Sequence, residues 1–478
     1  MLHALGASSQ RVLLPRNGVA RTPASLRSRN IPSRSVIVRV QEAEAPSTES
    51  AAPASTPTRP YEVVVWGATG FTGKLVCEHL ARDYGGKVKW AMAGRDNQKL
   101  EKVREELAQI NPDVKDIPLL VADANNASEV GDVLKQSKVV VSLAGPFANV
   151  GNEVVAQAVE QGTHYCDITG ELTWVRRNME KYHATAEAKG TKIVHCCGYD
   201  SAPSDIGALM MAEYAERELG KKCAKVYTLA GLGLGGASGG TLATGMNMME
   251  KEPLEMSKVA RDQYYLASYH KKTLGYDTPA PFWPTGIPET GEWGGPWVME
   301  PCNARVVQLS NALLSPQGPY GRDFRYKEVL AGGGGLPGFL VSSLVTAIMG
   351  IGGFALSTPQ GMALFKRLAP AQGEGPPKEI QRNGYWSHKL VGVTEEPEGQ
   401  EPTVFTGECS DSRDPGYWST SRMVLEAALC MALDEGAIKK SGKCRDGGVL
   451  TPASAMGLAL MERFKGAGLK FEVHGPVK

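Results

Sequence analysis

Glu62-Val-Val-Val-Trp66 runs directly into Gly67-Ala68-Thr69-Gly70-Phe71-Thr72-Gly73, and Leu75–Leu80 continues with helical spacing. A short β-branched run of this kind fits a strand buried on both faces. The glycines then make a Gly-x-x-Gly-x-x-Gly form of the dinucleotide fingerprint: the first permits the tight turn, the second lets backbone approach a pyrophosphate, and the third allows close helix–strand packing. The amides at the start of the following helix would face the phosphates. A P-loop is excluded by its own letters. Gly73-Lys74 is followed by Leu75, and position 68 is Ala, so no hydroxyl stands where magnesium needs one.

The alternation continues downstream. Strands are expected at Lys87–Ala93, Ile117–Ala122, Lys138–Leu143, Thr163–Asp167 and Lys192–Cys196, with helices at Gln98–Ile110, Asn152–Gln161 and Trp174–Lys189. That order predicts an α/β fold, a Rossmann doubly wound parallel sheet. The second strand ends in Gly94-Arg95-Asp96, where a small residue followed by Arg suits a 2′-phosphate better than a ribose hydroxyl. The cofactor expected is therefore NADP(H). Asp96 reads as the N-cap of the next helix. Asp123 can receive an adenine amino group or cap the helix after it, and Ala144-Gly145-Pro146 should pass close to the nicotinamide half.

Residues 1–41 hold seven Arg and no Asp or Glu, the composition of an organellar transit peptide; its Ser content favours the chloroplast, with the mitochondrion as the alternative. Residues 42–60 contain four Pro and no bulky apolar residue and are expected to be a disordered linker. With seven positive charges in the leader, the formal net charge of +1 leaves an acidic body, a poor match for nucleic acid. Nine scattered cysteines show no Cys-x-x-Cys, so neither zinc nor a disulfide framework is implied. Cys196-Cys197 reads as a pair of small buried residues.

The stretches VVVWGATGFTGK, AGRD, LAGPFANVGNEVV, GTHYCDITGE, CCGYDSAPSDIG, SGGTLATG, GEGPPKEIQRNGYW and GYWSTSRMVLEAALCMA together resemble the saccharopine dehydrogenase-like oxidoreductases, including the trans-acting enoyl reductases. The resemblance implies an NADP-binding domain over 61–200, a second α/β (α+β) substrate domain over 201–414, and C-terminal helices within 415–478, Met423–Leu433 and Pro452–Lys465, packing back near the first domain. It also implies one of two acceptors: an unsaturated lipid in the enoyl reductases, or an imine between an amino acid and an aldehyde in the saccharopine relatives.

Hydride transfer needs a positioned acceptor and a proton. Candidate donors follow strand ends: Tyr165 and Asp167, then Tyr199, Asp200, Ser204 and Asp205. Tyr199 and Asp200 are taken as catalytic, Tyr199 as the proton donor, because ligands bind where strand meets crossover; Ser204 reads as a helix N-cap. His164 and His195 read as packed or surface residues. Tyr385 and Lys389 have Tyr-x-x-x-Lys spacing but lie in a strand-like run, not on a helix. An imine acceptor would call for clustered cations, whereas Arg217, Arg261, Arg305, Arg322 and Arg325 are dispersed.

Val329–Phe365 is thirty-seven residues without a charge, with nine Gly and two Pro. Leu336–Leu356 is long enough to cross a bilayer. Three readings stay open: a transmembrane helix, a buried core segment, and a surface that faces membrane or lipid. The last agrees with an apolar small-molecule substrate and peripheral membrane or lipid-body contact. A homodimer and a non-catalytic NADP-binding, lipid-associated protein also stay open.

Overall fold

The computed structural model describes residues 59–235, 252–270, 277, 279, 282–368 and 375–477. The expected transit peptide, nearly all of the expected linker and the SGGTLATG stretch lie outside the described residues.

Seven parallel strands form the first sheet in the order β13-β6-β5-β4-β1-β2-β3: β1 Tyr61–Trp66, β2 Trp90–Gly94, β3 Leu119–Val121, β4 Ser137–Ser142, β5 His164–Asp167, β6 Lys192–Val194 and β13 Gly448–Leu450. Val63 pairs with Trp90 on one side and Val139 on the other. Val63, Val64 and Val65 are fully buried, because helices cover both faces, as a β-branched run requires. Helix Asn97–Ile110 starts where expected, with the Asp96 carboxylate accepting from the Lys99 amide at 3.1 Å.

The seventh strand was not expected. Gly448-Val449-Leu450 pairs with Lys192-Ile193-Val194, bringing the chain beyond residue 415 back into the first sheet. Helix Thr420–Leu433 packs on β1, β4 and β5. The expected helix Pro452–Lys465 is two helices, Pro452–Met456 and Leu458–Gly466, broken at Gly457, whose φ of +59° suits glycine.

The second sheet runs β14-β12-β11-β7-β10-β9-β8, with β7 Cys223–Ala230, β8 Thr285–Ile287, β9 Glu292–Gly295, β10 Tyr320–Gly334, β11 Trp386–Thr394, β12 Val404–Asp411 and β14 Lys470–Pro476. Only the β7–β10 pair is parallel among the described pairings. Helix Ala202–Glu218 lies against this sheet, and helix Glu300–Leu314 packs on both that helix and β10. The fold is thus α/β: a Rossmann sheet joined to a second, mixed sheet.

The charge-free stretch divides in two. Its first residues end β10, and Gly335–Leu356 is one helix of 22 residues in which only Gly338 and Ser342 are buried. The buried-core reading is therefore corrected: the helix lies outside the core, since β10 already fills the position beside β7 and β9.

Candidate active site

At the carboxyl end of β1 the chain turns at Gly67, whose φ is +81°. A Cβ there would stand 2.9 Å from the Ala144 amide nitrogen, and one at Gly73 would stand 2.2 Å from the Gly67 carbonyl oxygen. Both positions therefore require glycine. The amides of Gly67 and Ala68 go to the Ala93 carbonyl of β2, at 2.9 and 3.2 Å, which fixes the turn. Helix α1, Phe71–His79, follows Gly70 with no side-chain cap, so the first-turn amides of Phe71, Thr72 and Gly73 have no intrahelical acceptor. The Thr69 and Thr72 side chains have no hydrogen-bond partner among the described residues. Phe71 anchors the turn, its ring 5.0 Å from Tyr417 in an edge-on contact. This cradle fits a dinucleotide pyrophosphate, with partial positive charge and space where side chains would intrude.

Around it stand the other expected cofactor contacts. Gly94 closes β2, and Arg95 is exposed just beyond, with no ion pair among the described residues. Asp123 follows β3 and accepts from the Asn125 amide at 2.9 Å. The next helix is capped instead by Asn126, so Asp123 is not its cap. Ala144-Gly145-Pro146 follows β4 with a cis Gly145–Pro146 bond. Sequence reasoning missed what holds this loop: the buried Glu171 carboxylate accepts from the Phe147 and Ala148 amides at 2.7 and 2.9 Å. Nothing in the local pattern distinguishes Glu171 from an ordinary first-turn acid.

The crossover after β6 carries the proton-donor candidates. Tyr165 and Asp167 are fully buried; Asp167 accepts from the Tyr165 hydroxyl at 2.9 Å, lies 2.7 Å from His195 Nδ1, and accepts from the Cys196 amide at 3.2 Å. These fully buried groups brace the crossover through their hydrogen bonds. His195 is packed, as expected, and burial pushes the His164 imidazole down to about 4. Cys196 and Cys197 are buried as expected, Cys196 with a φ of +63°. The N-cap reading of Ser204 is corrected: Pro203 lets the helix start at Ala202, so Ser204 sits inside it and bonds the Glu328 carboxylate at 3.2 Å. Asp205 is structural, accepting from Ser310 and from the Ala453 amide.

Tyr199 and Asp200 are half-buried. The Tyr199 hydroxyl lies 3.0 Å from His388 Nε2, and its ring meets Trp386 at 5.0 Å. Burial, with Glu328 and Asp200 nearby, pushes the phenol well above its ordinary value. Burial pushes His388 down to about 4 and Asp200 up to about 6. At neutral pH the phenol therefore keeps its proton and the imidazole is neutral. Asp200 has no hydrogen bond among the described residues. Missed altogether was Glu328, a fully buried acid that burial raises to about 7. It accepts from Ser204, Asn303 and Tyr326. Tyr385 and Lys389 flank and occupy strand β11, Lys389 pairing with Glu292 at 2.6 Å, so no helix face joins them.

Residues 63–194 match the family profile of the saccharopine dehydrogenase NADP binding domain. Over 425 residues the chain is 32% identical to a trans-acting enoyl reductase of Mycobacterium tuberculosis, covering 86% of this chain and 97% of that protein. An enoyl reductase of Mycobacterium leprae is likewise 32% identical over 428 residues, with 86% and 97% covered. The chain belongs to the saccharopine dehydrogenase-like oxidoreductase family. It is an NADP(H)-dependent oxidoreductase. Apo saccharopine dehydrogenase of Saccharomyces cerevisiae aligns with a TM-score of 0.46 at 13% identity, covering 87% of this chain and 99% of that one. The relatives named above are mycobacterial, and bacteria have neither plastids nor mitochondria. The expectation of a chloroplast, or alternatively mitochondrial, destination is corrected accordingly.

Proposed function

We propose that this family member reduces an unsaturated, apolar acyl substrate, with Tyr199 supplying the proton. NADPH supplies the hydride when bound. The chain's own residues do the rest. Phe71, Thr72 and Gly73 would offer amides to the pyrophosphate, Arg95 would meet the 2′-phosphate, Asp123 would accept from the adenine amine, and Gly94 with Ala144, Gly145 and Pro146 would leave room along the coenzyme. Tyr199 holds a proton at Oη beside the acceptor, oriented by His388, and Asp200 sits one residue on with a carboxyl poised near neutrality.

The observation that carries this reading is the Tyr199–His388 pair: a phenol kept protonated next to a neutral imidazole, on the crossover where such sheets bind ligands. The acyl substrate is favoured over an imine by the fate of the cations. Arg305, the most buried arginine among the described residues, is spent on the carbonyls of Val259, Ala260 and Asp262, and Arg217 pairs with Glu213. The curated relatives are enoyl reductases by name, which supports the same choice. An apolar substrate also suits a protein in peripheral contact with a membrane.

The test is oxidation of NADPH by the purified chain with long-chain enoyl thioesters, short-chain enoyl thioesters and amino-acid imines in parallel. Turnover concentrated on the long enoyl chains is expected. Turnover on imines alone would replace the acceptor, and tight NADPH binding with no turnover on any acceptor would favour a non-catalytic role.

A further inference from the structure

The helix Gly335–Leu356 has a mean hydropathy of 2.0 over its most apolar 18-residue window, of which 6% is buried. At 1.5 Å per residue its 22 residues extend about 33 Å, against about 30 Å for a bilayer's hydrocarbon. One side rests on the sheet: a Cβ at Gly295 would lie 2.9 Å from Val345, and one at Gly332 only 2.1 Å from Ser342 Oγ. The rest of its circumference exposes Leu336, Leu340, Leu344, Ile348, Ile351 and Phe354.

Two observations say what covers it. The exposed surface offers a partner almost nothing polar: Ser343 and Thr346 donate to their own helix's carbonyls at Phe339 and Ser342, both at 2.8 Å, and Ser357 and Thr358 fold back on Phe354 and Ala355. Hydroxyls turned inward suit hydrocarbon, whereas a protein interface carries a polar rim with hydrogen bonds. The flanks match a lipid headgroup layer. Exposed Phe282 stands beside the helix, 3.7 Å from a Cβ placed on Gly350, with the exposed Trp283 next to it in the chain, and the following helix Pro359–Leu368 ends in Lys366 and Arg367. Aromatic rings favour the membrane interface, and cations favour lipid phosphates.

The segment also leaves and rejoins one body. It departs from β10 and is back by Gly375, where a Cβ would lie 2.4 Å from the Phe71 ring. A full crossing would have to draw Lys366 and Arg367 through hydrocarbon on the way back. We infer that helix Gly335–Leu356 inserts from one side into a phospholipid membrane, with Phe282 and Trp283 at the interface and Lys366 and Arg367 toward the phosphates. This anchoring stands apart from the reductase reading and holds whatever the acceptor is.

The test mixes the full chain with preformed phosphatidylcholine vesicles, with and without phosphatidylglycerol, and follows flotation. The wild type floats with both, more strongly with the anionic lipid. The double variant Ile348→Asp, Ile351→Asp falls about ten-fold in vesicle-bound fraction, while its NADPH titration matches wild type and shows it folded. A wild type that stays unbound overturns the inference, as does a variant that floats equally. Flotation only after reconstitution from detergent would indicate a crossing helix and overturn the one-sided insertion. Concentration-dependent self-association lost in the variant, without flotation, would assign the surface to a second copy of the chain.

Discussion

The Tyr199 hydroxyl lies 3.0 Å from Nε2 of His388, a contact that ties the crossover after β6 to strand β11 of the second sheet. Neither residue could do the same work alone. The imidazole fixes the direction of the hydroxyl, and the phenol gives the otherwise buried ring a partner, while His388 Nδ1 has none among the described residues. Replacing Tyr199 with Phe keeps the ring against Trp386 and removes only the hydroxyl. Turnover is expected to fall about 100-fold, with NADPH affinity unchanged, in line with loss of a positioned acid. Steady-state rates with a coenzyme titration check this, and a Tyr199→Phe enzyme with wild-type turnover removes Tyr199 from the chemistry.

The glycine turn makes a steric prediction. Gly73→Ala would place a methyl 2.2 Å from the Gly67 carbonyl oxygen, and backbone must move to admit it. Overpacking of this kind costs about 1–3 kcal/mol, so a lower thermal midpoint and weaker NADPH binding are expected together. Thermal unfolding with and without coenzyme reads both, and an unchanged midpoint with unchanged affinity would show that α1 does not pack on the turn this closely.

Glu328 makes a prediction about pH. Its carboxyl is raised to about 7 from 4.5, so the folded state prefers it protonated. That preference favours folding fully below the unfolded value and is lost as pH rises through the folded one. Glu328→Gln mimics the protonated acid at every pH. The stability of the variant relative to wild type should therefore climb between about pH 4.5 and 7 and level off above, by up to a few kcal/mol. Denaturant melts across that range test it; a pH-independent difference would mean that Glu328 is ionised throughout.

Much of the first sheet is legible in the letters because strands such as Tyr61–Trp66 and Ser137–Ser142 are compact β-branched runs ending at a turn, and some helices carry their own start signal, such as Asp96. The three-residue strand Gly448–Leu450 is not, since its only reason to be a strand is the open edge of β6. The site divides the same way. Gly67 and Gly73 announce themselves by spacing, because the turn is local. His388 and Glu328 lie 189 and 124 residues from the groups they hold, Tyr199 and Ser204, and no local pattern records such a contact. Ser204 was misread because capping preference looks one turn ahead, and here Pro203 had already started the helix.

The most direct test is a calorimetric titration of NADPH and NADH into wild type and Arg95→Ala. Arg95 is exposed beyond β2 with no competing carboxylate partner among the described residues, so its guanidinium is available to the 2′-phosphate. The wild type is expected to prefer NADPH. Loss of a charge-assisted contact should weaken NADPH about ten-fold or more and leave NADH unchanged. Equal affinity of the wild type for both coenzymes, or a preference that survives Arg95→Ala intact, would contradict the account.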